Sequence, residues 1–179
     1  MPAKQSSTRA GDIIQNGWVV PDLQLGMRQW LDMGYGPFLT FIVDLPDAIY
    51  RGRTVPLKSA VALTHGGGVQ IELIQQLSSG PSAYRDVYAP NEGGFHHVCK
   101  IVDDYALEVA ALRSRGIVFA TEAAFHSVHF GYADTRATLG CILEVVPNVP
   151  LLHAMNQAVI DAARNWDGSD PIRPLKLPS

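Results

Sequence analysis

The period of hydrophobic and polar positions changes along the chain in a fixed order, and that order occurs twice. Residues 12–20 form an apolar run rich in Ile, Val and Trp, which predicts a strand. Pro21-Asp22 supplies a turn and a helix start. Leu23, Met27, Trp30 and Leu31 then recur at helical spacing until Gly34, which can take the left-handed cap conformation. Strands are predicted over Phe38–Val43, Leu57–Leu63 and Val69–Gln76, with a long loop over Asp44–Pro56. After a connector over 78–92, in which Tyr84–Tyr88 suggests a short helix, the sequence starts again. Phe95–Ile101 reads as a strand, and Asp103-Asp104 as an N-cap. Tyr105, Val109 and Leu112 share one helix face up to Gly116. Ile117–Ala120, Val128–Ala133 and Cys141–Val146 read as strands.

The two halves align residue on residue. Val20-Pro21-Asp22-Leu23 lies over Val102-Asp103-Asp104-Tyr105, Met27 over Val109, Trp30 over Leu112 and Gly34 over Gly116. The last strands also match, Gly68-Val69-Gln70-Ile71-Glu72 over Gly140-Cys141-Ile142-Leu143-Glu144, at an offset that places an insertion in the Asp44–Pro56 loop. The expectation is an α+β domain over 12–147, made of two βαβββ modules (12–77 and 93–147) whose sheets curl around a shared cleft. Residues 1–11 are expected to be a disordered leader. Residues 148–179 are expected to hold an amphipathic helix over 151–166 and a proline-rich tail.

Composition narrows the function. The chain has 179 residues, 47% of them hydrophobic, and a formal net charge of −3. It has no basic stripe, which argues against nucleic acid as a partner. Neither a membrane-length apolar run nor a signal-peptide core is present, which points to the cytoplasm. Cys99 and Cys141 both fall in predicted strands and read as buried thiols of a reducing compartment.

The repeat superposes Gln15 on His97 and Glu72 on Glu144. Each module thus offers one residue early in its first strand and one carboxylate in its last, and the pseudo-symmetry brings all four to one cleft. Three oxygens and one nitrogen suit a divalent ion of octahedral habit, with two positions left for water or substrate. Thiolate-rich structural zinc is excluded by the cysteine count. Glu72 shares a polar strand face with Gln70 and Gln76, as a wet cleft would present. Glu144 shares a drier face with Ile142 and Val146, where a carboxylate is costly unless paired, protonated or metal-bound. His96 faces away from His97 and reads as structural. Cys99, on the His97 face, reads as a cleft wall. Trp18, Phe38, Phe95, Phe125 and Phe130 are candidate lining, and Arg51 and Arg53 in the long loop could meet a carboxylate or phosphate of a substrate.

Together the segments Gln15-Asn16-Gly17-Trp18-Val19-Val20-Pro21-Asp22-Leu23, Gln70-Ile71-Glu72-Leu73, Gly93-Gly94-Phe95-His96-His97 and Gly140-Cys141-Ile142-Leu143-Glu144 resemble the vicinal oxygen chelate superfamily. It includes glyoxalase I, methylmalonyl-CoA epimerase, extradiol dioxygenases and the fosfomycin and bleomycin resistance proteins. The resemblance covers about residues 12–147 and implies metal binding at His97. The Gly-Gly-Phe-His-His texture is most similar to the epimerases. Those carry His where this chain has Gln15, Gln where it has Glu72, and a carboxylate on the strand that here reads Leu57-Lys58-Ser59-Ala60-Val61-Ala62-Leu63. The Gln/Glu/His/Glu order instead resembles animal-type glyoxalase I. Gln15 also departs from the two-histidine, one-glutamate site of the dioxygenases and fosfomycin-type transferases.

The resemblance implies one divalent ion (zinc, nickel, cobalt, manganese or iron), a small-molecule substrate and a homodimer. The chemistry it implies is proton transfer next to a carbonyl, with Glu144 as general base. Glu72, His126, His129 and Tyr132 are candidates for a second proton carrier. The rival expectations are a binding protein of the same fold and an oxygen-consuming iron enzyme.

Overall fold

The Pro21-Asp22 turn does what its sequence predicts. In a computed structural model, which describes residues 11–176, the Asp22 carboxylate accepts a hydrogen bond of 2.8 Å from the Leu25 amide and caps the first helix. The expected leader, Gly11 apart, and the last three residues of the tail lie outside the described residues. The first half runs β1 (Ile13–Val19), α1 (Leu23–Asp32), β2 (Phe38–Leu45), β3 (Ile49–Tyr50), β4 (Arg53–Thr54), β5 (Leu57–Gly66) and β6 (Val69–Gln76). The second runs β7 (Gly94–Val102), α2 (Tyr105–Ser114), β8 (Phe119–Phe125), β9 (Val128–Ala133), α3 (Arg136–Leu139) and β10 (Ile142–Pro147). Helix α4 (Pro150–Ala163) and strand β11 (Ile172–Pro174) follow. Asp104 caps α2 as Asp22 caps α1, accepting from the Leu107 amide.

All strands join one mixed sheet, in the order β11-β2-β5-β6-β1-β7-β10-β9-β8-β3-β4. The modules meet where β1 pairs antiparallel with β7, with Gln15 opposite Cys99, Asn16 opposite Val98 and Gly17 opposite His97. Gln15 and His97 are equivalent positions in the repeat, as are Gly17 and Cys99. The local twofold therefore passes through the Asn16–Val98 pair. The sheet curls until its flanks approach, and the rings of Phe41 on β2 and Phe125 on β8 lie 5.9 Å apart.

Several segments differ from expectation. The Asp44–Pro56 insertion is not loop throughout: β3 and β4 form a hairpin, and Ile49 and Tyr50 pair with Glu122 and Thr121 of β8. The insertion from one half thus satisfies the free edge of the other. Strand β8 begins at Phe119, two residues later than expected, and runs on to Phe125. Residues 84–88 are turns rather than a helix, held by amide bonds from Asp86 to the Ser82 carbonyl and from Tyr88 to the Tyr84 carbonyl. The tail contributes β11, which pairs in parallel with β2.

Helices α1 and α2 cover the outer face of the sheet. Leu23 and Met27 of α1 pack on Phe38, Ala62 and Leu73, and Val109 and Leu112 of α2 pack on Phe119 and Val145. Burying Phe38 completely is worth about 2–3 kcal/mol. On the inner side α4 anchors through Val159, which meets Leu39, Val61 and Leu63.

Candidate metal centre

The four central strands, β6, β1, β7 and β10, bring the acidic and imidazole groups together. Gly17 is opposite Glu72 on one side and His97 on the other. The equivalent residue, Cys99, is opposite Glu144 on one side and Gln15 on the other. Glycine is required at 17, because a Cβ there would overlap the His97 imidazole. With that space open, His97 Nε2 lies 3.3 Å from a carboxylate oxygen of Glu72 and 3.3 Å from one of Glu144. One ligand atom from each of the three residues lies within 4.8 Å of the others.

Hydrogen bonding fixes the imidazole. His96 Nε2 lies 3.0 Å from the Ala83 carbonyl, so it must donate there. Burial, and next the neighbouring His97, push His96 down to about 3, so its ring stays neutral and Nδ1 is left as an acceptor. His97 Nδ1 lies 3.1 Å from that atom and is the donor. The remaining nitrogen, His97 Nε2, is turned toward the two carboxylates. Burial alone would lower the His97 pKa, but the Glu144 and Glu72 carboxylates more than offset it and carry it up to about 9. Burial is also what raises Glu72 above the usual carboxylate range. Cys99 is pushed well above its ordinary value by burial and by Glu144, so it stays a thiol and serves as wall.

The donor set fits a divalent cation. His97 Nε2 and Glu72 Oε2 are both buried, and neither has a hydrogen-bond partner among the described residues. The 3.3 Å contacts therefore lack hydrogen-bond alignment, as expected when three groups aim at a common point rather than at one another. Buried groups of this kind are costly unless a proton or a cation joins them. Two carboxylate oxygens and one imidazole nitrogen suit zinc, manganese, nickel, cobalt or iron. Gln15 lines the adjoining cavity, and its amide nitrogen donates to Gln70 Oε1. Gln70 in turn donates to Asn156 of α4, at 3.2 Å.

The cavity beside the cluster has a volume of about 130 Å³. Glu72, Glu144, Cys99 and Tyr132 line it, as do Phe125 and Phe130. The hydroxyl of Tyr132 meets that of Tyr84 at 3.0 Å, and burial followed by the Glu144 charge holds Tyr132 well above the usual phenol range. Other candidates fall elsewhere. Phe38 is fully buried beneath α1, and Trp18 packs edge-on against Trp30 and Phe95, outside the cavity. Strand parity explains both, since Phe41 and Val43 on β2 and Gln15 on β1 face the cavity and their odd-even opposites face the helices. His126 sits exposed at the β8–β9 turn with φ of 46°, and exposed His129 lies alongside Tyr105. Arg51 is held by Asp86 at 2.6 Å and Asp134 at 2.9 Å, and Arg53 is exposed on β4. Neither arginine lines the cavity.

The face of β6 that carries Glu72 is polar but not wet. Gln70 and Gln76 are both buried, and Gln76 is satisfied by the Ser78 and Gly80 carbonyls and by the Ser82 hydroxyl. Sequence reasoning missed Tyr84, Ser59 and the α4 residues. Parity could have found Ser59, which shares a face with Val61 and Leu63. Nothing local in the sequence signals that the connector and α4 fold back over the cleft.

The Glyoxalase/Bleomycin resistance protein/Dioxygenase superfamily model matches residues 14–136. No curated protein is a match to the sequence. Among solved structures, methylmalonyl-CoA epimerase from Mycobacterium tuberculosis is similar at 19% identity and a TM-score of 0.54, covering 85% of this chain and 97% of that one. Hypothetical protein BH1468 from Bacillus halodurans C-125 is similar at 16% identity and a TM-score of 0.56, covering 79% and 96%. A Streptomyces coelicolor methylmalonyl-CoA epimerase variant in complex with 2-nitronate-propionyl-CoA is similar at 17% identity and a TM-score of 0.55, covering 78% and 98%. These likenesses are to the fold. No helix among the described residues is long and apolar enough to cross a membrane.

Proposed function

Because the chain belongs to the Glyoxalase/Bleomycin resistance protein/Dioxygenase superfamily, we propose that it is a divalent-metal-dependent enzyme that moves a proton next to a carbonyl group, as an isomerase, epimerase or glyoxalase-type lyase. The observation that carries this reading is the buried, unpartnered pair His97 Nε2 and Glu72 Oε2, converging with Glu144 at the wall of a small cavity. Glu72, His97 and Glu144 would hold the cation, with Gln15 beside them. A cation there would supply Lewis-acid polarisation of a substrate oxygen.

The protein groups have distinct parts. His96 and the Ala83 carbonyl hold His97 in one tautomer, which keeps Nε2 free of a proton when the cation is present. Glu144 opens onto the cavity and can take the substrate proton on a carboxylate oxygen. Tyr132, opposite Glu144 in the β9–β10 pairing, keeps its proton and can return one or hold an oxygen by donating to it. The mostly apolar walls lower the local dielectric, which strengthens each of these contacts.

The test is metal content and proton exchange on the same preparation. Protein expressed with supplemented metal should carry about one equivalent. It should also exchange the α-hydrogen of a small hydroxyketone with deuterium from D₂O, read by proton NMR, and lose that exchange on chelation. Failure to take up metal would leave a binding protein of this fold as the better reading.

A further inference from the structure

The cavity differs from what a large charged thioester needs, and its lining is specific enough to narrow the substrate class. Among the described residues no Lys, Arg or His lines it, and Glu72 and Glu144 are the only charged side chains there. Its volume of about 130 Å³ is close to the roughly 150 Å³ of an apolar cavity that holds benzene. That is room for one ring and a short substituent.

The roof is part of the fold. Leu151, Leu152 and Met155 of α4 lie over the cavity, Val159 anchors the helix to β5, and β11 ties the following segment to β2. Asn156 accepts from Gln70, which joins the roof to the Gln15 amide. A long substrate arm would have to leave the cavity by its side that α4 does not cover.

One polar group stands at the other end. Ser59 is 2% exposed, lines the cavity, and its hydroxyl oxygen has no partner among the described residues. In the β5–β6 pairing Leu63 is opposite Glu72, whereas Ser59 is opposite Gln76, four residues along the strand. That separates the two levels by about 13 Å along the backbone. Between the two levels lies Val61, with Phe41 opposite it on β2, and both line the cavity.

We propose that the substrate is a compact, uncharged aryl ketone with a second oxygen on the adjacent carbon, its ring enclosed under α4 and a neutral polar substituent at the far end hydrogen-bonded to Ser59. This rests on the proposed proton-transfer reading of the Glu72–His97–Glu144 cluster. It goes further in excluding coenzyme A thioesters.

The experiment is calorimetric titration of the full-length, cobalt-loaded protein with 2-hydroxyacetophenone, its 4′-hydroxy analogue and propionyl-CoA. The hydroxyketones should bind at least about tenfold more tightly than propionyl-CoA, since one misfitted polar group can already cost that much. The 4′-hydroxyl should add about another tenfold, and Ser59→Ala should abolish that increment, read as the ratio of the two ketones' affinities in each protein. Leu152→Trp, checked for folding by circular dichroism, should weaken both ketones. If it fails to fold, the Ser59 comparison still decides. Equal or tighter binding of propionyl-CoA, or a 4′-hydroxyl increment that survives Ser59→Ala, overturns the proposal. Titration of metal-free protein with acetophenone separates the two claims. Protein that takes up no metal yet binds acetophenone and not propionyl-CoA refutes the reaction but supports the substrate class.

Discussion

Gly17 and His97 face each other across the β1–β7 ladder, and the absence of a side chain at one is the space occupied by the ring of the other. Gly17→Ala should therefore displace the imidazole or push the strands apart. The expected cost is about 1–3 kcal/mol of stability, as for other overpacked sites. Zinc affinity should fall by at least about tenfold, because His97 Nε2 no longer meets the carboxylates. Thermal unfolding and zinc competition against a chromophoric chelator check both, and unchanged affinity would refute the placement.

His96 should matter without touching the cation. It accepts from His97 Nδ1 and donates to the Ala83 carbonyl. His96→Leu removes the acceptor and frees the wrong tautomer of His97. A loss of about 10–100-fold in metal affinity is expected. His96→Asn, which keeps an acceptor, should recover part of it in the same competition assay.

Glu144→Gln tests the proton acceptor. The amide keeps an oxygen toward His97 but cannot take a proton at neutral pH. Deuterium exchange should fall by about 10²–10⁴-fold, with the circular dichroism spectrum unchanged. Full exchange activity in this variant would rule out Glu144 as the base.

Metal-free protein should lose stability in alkali. The His97 imidazole is held up to about 9 in the fold by Glu144 and Glu72 despite its burial, against about 6.5 in the unfolded chain. A group raised on folding contributes fully below its unfolded pKa, and the contribution disappears as pH rises through the folded one. The Glu72 carboxyl, raised by burial, acts in the same direction at lower pH. The Tm without metal should therefore fall between pH 6.5 and pH 9.5 or so. Zinc should flatten that slope, since it replaces the proton. Equal slopes with and without zinc would contradict the assignment.

Arg51 belongs to an ion-pair network. It bridges Asp86 of the connector and Asp134 after β9, and Arg136 pairs with the same aspartate. Arg51→Ala should cost about 1 kcal/mol, the upper range for partly exposed pairs. It should leave substrate binding unchanged, because Arg51 does not line the cavity. A selective loss of binding would restore it as a recognition residue.

The twofold plan was legible because Asp22 and Asp104, Gly34 and Gly116, and Glu72 and Glu144 mark the same points in both halves. The repeat was enough to bring Gln15 and His97 to one cleft. It was not enough to predict how wet the site is. The polar face of Gln70, Glu72 and Gln76 reads as solvent-facing until the connector and α4 supply its hydrogen bonds, and both reach it across long sequence separations. Trp18 and Phe38 show the same limit from the other side, since aromatic character says nothing about which face of a strand it occupies. Ile49 and Tyr50 form a strand only because β8, some seventy residues away, offers an edge.

The Asn16–Val98 axis has a consequence for the way a substrate lies. A centre with true twofold symmetry would accept a substrate equally well in two orientations related by half a turn. Here the axis relates Gln15 to His97 and Gly17 to Cys99, so an amide answers an imidazole and a bare backbone answers a thiol. Those two mismatches, next to the matched glutamates, make the two orientations unequal and leave one of them preferred.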